Sequence, residues 1–332
     1  MHAQDAPFEE SFVELLRFTS LEPRWVSVAS LQRVARAHRR NVSRIADTIR
    51  FALIGASRSR QEALWLAEAC AEVGIPNQTH FAERDPNRSL VEAAYNRRAM
   101  LSTGPADGVH DLISLGTLNR TFSWTHAFHN DALQAVLQNQ IVFAWTAFEV
   151  LAADLWIEAL NFEPKIALEL ITTAQNQGSG LVNKDVGKTY SVDTFAKFGF
   201  DLSRNMGTIL SQRYGNFLRL TNIERAYGDA AMALPMDGKA GTCLRLLEHL
   251  RNVIVHRGGV VDAEYKRKIS SMPINLLQGV PTHFTCAEGD VLELSCGSVA
   301  EITFIAIKFC NAIIELVEGR VNAAERGTLN NA

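Results

Sequence analysis

A mainly α-helical protein is expected from three features of the chain. Helix-forming residues run in long stretches with apolar positions at three- and four-residue spacing, glycine and proline follow these stretches, and only one short segment alternates like a strand. With 332 residues, 47% hydrophobic and 21% charged, there is material for one large domain or two smaller ones.

The first helix is basic. Residues 31–60 carry eight arginines against one acid, Asp47, whereas residues 1–29 lean acidic. Arg33, Arg36, Arg40 and Arg44 recur at helical spacing on one face, and Leu31, Val34, Val42, Ile45 and Ile49 supply the opposite stripe. Such a face is either a solvated surface paired with acids elsewhere or a surface for phosphates, and RNA is the expected ligand in the second case. A membrane-surface helix fits less well, because the apolar side is small and β-branched rather than rich in Trp, Phe and Leu.

Residues 61–73 continue in strong helix formers and stop at Gly74, with Pro76 beyond. A helix over about Ser89–Met100 follows, and the turn-rich run 102–108 marks a boundary. Asn130 is placed to cap a long helix reaching about Asn161, apolar round most of its circumference and therefore buried on several sides. Trp145 and Trp156 lie on its apolar stripes, as Trp65 does earlier, and all three are expected in the core.

Gly178–Gly180 reads as a loop, two helical patterns follow over about 192–210 and 214–232, and Pro235–Gly238 is a second loop. A helix over about Thr242–Arg257 comes next. Pro273–Pro281 is irregular, His283–Cys286 and Val291–Ser295 around Glu-Gly-Asp read as a short β-hairpin, and a helix over about Val299–Val321 closes the chain. The predicted fold is a mainly α helical bundle with that hairpin near the C-terminus. Residues 1–120 form an additional N-terminal helical region and residues 121–332 the main domain.

Five scattered cysteines form no C-x-x-C pair and have no histidine at metal-ligand spacing, which argues against a disulfide framework or a zinc site. No apolar run approaches a bilayer span and the first residues are acidic, so a soluble, non-exported, cytoplasmic protein is expected. Glycine-rich phosphate loops, H-E-x-x-H and G-x-S-x-G are all absent from the sequence. His126 and His129 are three apart but lack a third ligand nearby, so neither a metal nor another cofactor is expected.

The helix ending at Arg257 concentrates the chemistry. With about 100° per residue, Cys243, Leu246, Leu247, Val253 and Ile254 fall beside Leu250 as a core stripe, while Arg245, His249, Asn252 and His256 share one flank. Arg251 leaves the helix about 140° from His256, which predicts that the two meet only if the helix end distorts or a second copy faces the first. Gly258 and Gly259 supply a left-handed cap, leaving His256 in the last turn, where the helix dipole favours an imidazolium.

Arg251-Asn252-x-x-x-His256 at the end of an apolar helix, after a long helix bearing Phe148-Glu149 and Asp154-Leu155, resembles the HEPN superfamily. Its ribonuclease members carry an arginine, usually a neighbouring polar residue, and a histidine after a gap of four to six positions; here the gap is four. The run Arg257-Gly-Gly-Val-Val-Asp262, and Gly289-Asp-Val-Leu-Glu-Leu294 before a final helix, look like prokaryotic members. The resemblance covers about residues 126–320.

It implies a homodimer with the cluster at its seam and metal-independent RNA cleavage, in a toxin or antiviral effector that an antitoxin or defence partner protein restrains. His256 would move a proton, Arg251 would stabilise charge on the phosphate, Asn252 would position the ring or the phosphate, and Glu149 matches an acidic position that orients the pair. Arg257, next in the chain, joins the basic helix as an expected RNA contact. Two other readings stand beside this one. In the first, Arg251 bonds a carboxylate of the long helix and His256 merely caps its own helix; in the second, the same bundle is a non-catalytic module that binds a partner protein, nucleotide or RNA.

Overall fold

The computed structural model describes residues 26–77, 85–103, 126–176, 196–197, 199, 201, 204–273 and 286–329. These hold nine α-helices: α1 (Gln32–Val73), α2 (Arg88–Thr103), α3 (His126–Phe162), α4 (Pro164–Asn176), α5 (Met206–Ser211), α6 (Leu220–Asp229), α7 (Gly238–Arg257), α8 (Ala263–Ser270) and α9 (Cys296–Leu329). Short 3-10 segments precede α1 and join α5 to α6. The protein is mainly helical, with no strand among the described residues.

The chain divides into two compact units, one of residues 1–47 and 137–332 and the other of residues 48–136. This differs from a cut near residue 120, and the reason is local. The first turns of α1 belong to the larger unit because Val26, Val28, Leu31, Val34, Val42 and Ile45 are buried there. Glu318 of α9 accepts hydrogen bonds from the backbone and hydroxyl of Ser27 and from the backbone of Val28, which ties the start of α1 to the end of the chain.

The axis of the larger unit is α3. Trp145 and Phe148 meet at a tilt with ring centroids 5.4 Å apart, and Phe148 meets Phe309 of α9 at 6.2 Å. Lower down, Trp156 lies edge-on to Tyr214 and Phe217 and donates its indole N–H to the Ala226 carbonyl at 2.9 Å. Tyr227 returns a hydrogen bond to the Ala152 carbonyl at 2.7 Å. Trp156 and Tyr227 thus each find a backbone partner, which offsets the cost of taking their polar atoms out of water.

Residues 134–162 of α3 have the length of a membrane span and contain an 18-residue window with a mean hydropathy of 1.4. This corrects the expectation of no such run: an average over a window tolerates the scattered Gln, Asn, Glu and Asp that break up an uninterrupted apolar stretch. Of the most apolar window, 56% is buried inside the protein, the pattern of a core helix.

The smaller unit has its own core of Leu66, Ala69, Cys70, Val91, Ala94 and Tyr95, with Trp65 packed against it edge-on to Tyr95 at 6.1 Å. Arg97 and Arg98 of α2 pair with Glu72 of α1, and Arg98 also reaches Glu68 at 3.2 Å. The stop predicted at Gly74 is present: its φ is 75° and the next amide, of Ile75, returns to the Cys70 carbonyl.

One expectation near the site changes. The helix expected over 214–232 is confined to Leu220–Asp229, because Gly215 and Phe217 take positive φ and Phe217 is buried against Trp156. Val291, expected in the second strand of the hairpin, makes an isolated antiparallel bridge to Val260. Positions 283–285, residues 192–195 and four scattered positions of the 192–210 pattern, the Gly178–Gly180 loop and the irregular run after Pro273 lie outside the described residues, as does the 102–108 turn beyond Thr103.

Candidate functional site at the end of helix α7

Helix α7 is positioned by the stripe that its periodicity announces: Cys243, Leu246, Leu247, Leu250 and Val253 are buried, and the helix packs on α9, α6 and α8. Its end is fixed by two glycines. Gly258 has φ 62° and Gly259 φ 83°, and the Gly259 amide reaches back to the Val253 carbonyl at 3.2 Å, closing the helix with left-handed residues that a Cβ would strain. The chain leaving the cap is then pinned: Val261 N–H donates to Asp290, Gly289 N–H to Val261, and Leu292 N–H to Gly259, all at 2.8–2.9 Å.

On this held end Arg251, Asn252 and His256 come together. Arg251 Nη1 donates to Asn252 Oδ1 at 3.1 Å and stands 3.4 Å from His256 Nε2. A guanidinium has no acceptor, so a hydrogen bond in this contact requires Nε2 to be the accepting nitrogen. The helix is α-helical to Arg257. The prediction that an undistorted single helix keeps Arg251 and His256 apart is therefore overturned. A helical wheel records where side chains leave the axis, and the long arginine stem spans the remaining angle.

Arg251 and Asn252 are half-buried, His256 is exposed, and Arg251 Nε is buried without a hydrogen-bond partner. Glu149 of α3 lies within electrostatic reach of Arg251. Burial holds its carboxyl above the usual range, while the Arg251 charge and a hydrogen bond from Trp145 pull the other way.

Beside the cluster opens a cleft of about 900 Å³, with α7 as one wall, α8 as another and the Leu218–Arg219 turn at one end. Most acids around it are committed to the fold. Glu248 accepts the Leu220 amide at 3.0 Å and so closes the first turn of α6. Asp262 caps α8 through the Tyr265 amide and pairs with Arg257 at 3.2 Å, and both interactions lower its carboxyl pKa. Glu264 pairs with Lys268 at 2.9 Å. Arg219 lines the same cleft and is exposed.

His249 also faces this cleft, one residue from the α6-capping Glu248. Its Nδ1 is buried with no hydrogen-bond partner, and burial together with the Lys268 charge lowers the ring pKa to about 4. Sequence reasoning puts His249 on the flank of Asn252 and His256 yet assigns it no part. Its position seven residues before His256, two helical turns, is the signal that identifies it. Arg219 and Lys268 have no such signal, since only the tertiary fold brings α6 and α8 to α7.

The basic face of α1 is exposed as predicted at Arg33, Arg36, Arg40 and Arg44, but it does not join the cluster. Arg33 pairs with Glu158 at 3.4 Å, and Arg36 turns back to the Gln32 carbonyl. Glu158 lies nine residues after Glu149, about half a turn round α3, so Arg33 and Arg251 are held on opposite sides of that helix. The side chains of Arg50, Arg58, Arg60, His126 and His129 lie outside the described residues. Among the described residues no group of three or more His, Cys, Asp or Glu could hold a metal ion, and Cys70, Cys243, Cys286 and Cys310 are free thiols. No family model, no curated protein and no solved structure matches this chain.

Proposed function

We propose that this protein is a metal-independent endoribonuclease of HEPN type, working through Arg251, Asn252 and His256. The observation that carries the reading is the contact of the Arg251 guanidinium with both Asn252 Oδ1 and His256 Nε2 at the edge of an open cleft. A neutral ring nitrogen beside a fixed cation suits attack of a ribose 2′-hydroxyl on its own 3′-phosphate. As the guanidinium shifts from Nε2 onto the phosphate, the nitrogen takes the hydroxyl proton, the 2′-oxygen–phosphorus bond forms, the bond from phosphorus to the 5′-oxygen breaks, and the imidazolium so formed returns the proton to the departing 5′-oxygen. The products are a 2′,3′-cyclic phosphate and a 5′-hydroxyl end, and the guanidinium offsets the charge gathering on the phosphate oxygens. Asn252 orients the guanidinium, and Glu149 steadies it from α3.

A homodimer joined near this end of α7 is part of the proposal. Val255, Val260 and Val291 are exposed, at 47%, 40% and 61%, and Val255 is the neighbour of His256 in the chain. Apolar groups exposed together at one end of a helix favour association with a second copy. A role as a toxin or antiviral effector restrained by a partner protein follows from the family reading.

The test is cleavage of RNA in the presence of EDTA, with analysis of the new ends. Wild type should leave cyclic phosphates, and His256→Ala and Arg251→Ala should each abolish cleavage while keeping the melting temperature and the sedimentation coefficient. Full activity in either variant refutes the assignment. RNA binding by wild type without any cleavage would instead favour a non-catalytic binding module.

A further inference from the structure

We infer that the cleft beside the cluster is a groove for a single RNA strand. Arg251 meets the scissile phosphate, Arg219 meets the neighbouring phosphate, and His249 reads the nucleotide between them. The inference rests on the ribonuclease reading for the identity of the ligand, and on separate observations for the path of the strand.

The first observation is charge. Of the acids at the cleft, Glu248, Asp262 and Glu264 are each engaged, by the Leu220 amide, by the α8 cap with Arg257, and by Lys268. Arg251 has only neutral hydrogen-bond partners, Asn252 and His256, and Arg219 has no ion-pair partner among the described residues. Glu149 reaches Arg251 only electrostatically, from α3 and outside the cleft lining, so two cations with no ion pair within the cleft form a site for a polyanion.

The second observation is spacing. The bond from the Leu220 amide to Glu248 sets Arg219 beside residue 248 of α7, eight residues from His256. That is about 12 Å along the helix axis to His256 and about 4.5 Å to Arg251, a stretch of roughly one to two nucleotides. Between those two levels lies His249. Its Nδ1 is buried and unpartnered, a state that folded proteins seldom leave without a ligand or water to satisfy it, and a neutral imidazole can both donate to and accept from a base edge. A site built to hydrogen-bond its ligand discriminates strongly against ligands that leave its polar groups unpaired.

The experiment is equilibrium binding of fluorescein-labelled 2′-O-methyl tetranucleotides of A, C, G and U, which cannot be cleaved, to the full chain in EDTA over a range of salt. Wild type should rank the four. Arg219→Ala should weaken all four alike, by about fivefold or more, and reduce the slope of log affinity against log salt by about 0.7, the contribution of one phosphate contact on a single strand. His249→Leu should leave the salt slope unchanged and collapse the ranking, and His249→Gln should restore part of it; melting curves verify that each variant folds.

The inference is overturned by an unchanged salt slope in Arg219→Ala, by loss of affinity without loss of ranking in His249→Leu, or by no binding to wild type. Because these readouts need no cleavage, they stay separate from the activity test. RNA cleavage that survives His256→Ala would refute the ribonuclease reading and leave the groove standing or falling on its own binding data.

Discussion

His38 offers the sharpest test of how the larger unit is held together. The ring lies in α1 with 2% of its surface exposed, and neither ring nitrogen has a hydrogen bond. Burial lowers its pKa from 6.5 to about 4; the Ala147 carbonyl, outside hydrogen-bond geometry, offsets part of this. The folded state therefore resists protonation that the unfolded chain accepts. Because the folded value is the lower one, the contribution is complete above about pH 6.5 and is lost as pH falls towards 4.

The drop from 6.5 to about 4 corresponds to roughly 3 kcal/mol of stability, most of it gone by pH 4.5. The perturbation is His38→Leu, which removes both unpartnered nitrogens at similar size. Urea unfolding of both proteins at pH 7.5 and 4.5 separates this effect from every other titrating group, since only His38 differs. The variant should match or exceed wild type at pH 7.5, because an unsatisfied buried polar group costs about 1–3 kcal/mol. At pH 4.5 its advantage should grow by roughly 2–3 kcal/mol. Parallel losses in the two proteins would refute the reasoning.

Three further outcomes follow from the same structure. Gly258→Ala, at φ 62°, should cost about 1 kcal/mol in urea unfolding and lower RNA cleavage by loosening the turn that carries His256, with Gly258→Asn milder on both counts. Trp156→Ala empties a fully buried site and breaks the bond to Ala226; a loss of about 3–5 kcal/mol is expected, measurable as a lowered denaturation midpoint. For Glu149→Gln the sign is opposite: a carboxyl whose folded pKa is raised contributes stability at low pH and loses it as pH rises, so the amide should raise the melting temperature at pH 7. Cleavage by that variant should fall through kcat with KM unchanged, if Glu149 acts by steadying Arg251.

What was legible in the sequence was periodic. The stripe of Leu31, Val34, Val42 and Ile45 is buried and the arginines opposite it are exposed, because a three-to-four-residue spacing has one geometric meaning in a helix. The cap at Gly74 and the end of α7 were likewise readable from glycine alone. Helix breaks were harder. Nothing local marks Phe217 as a left-handed residue; it takes that conformation because its ring is drawn against Trp156, and tertiary packing overrides the helical pattern of 214–232. The cluster was legible by residue type but not by reach, since angles around an axis ignore the length of an arginine. Arg219 and Lys268 could not be found at all, being distant in sequence from α7.

The three backbone bonds that pin residues 259–261 to 289–292 bear on more than geometry. A helix end is ordinarily the first part of a helix to open, and here the last turn holds His256. Tying that turn to a segment about thirty residues later couples its opening to the approach to α9, so the amides of Val261, Gly289 and Leu292 should exchange with solvent as one unit with the turn. The order of the cluster then comes from the fold itself, and a ligand does not have to supply it.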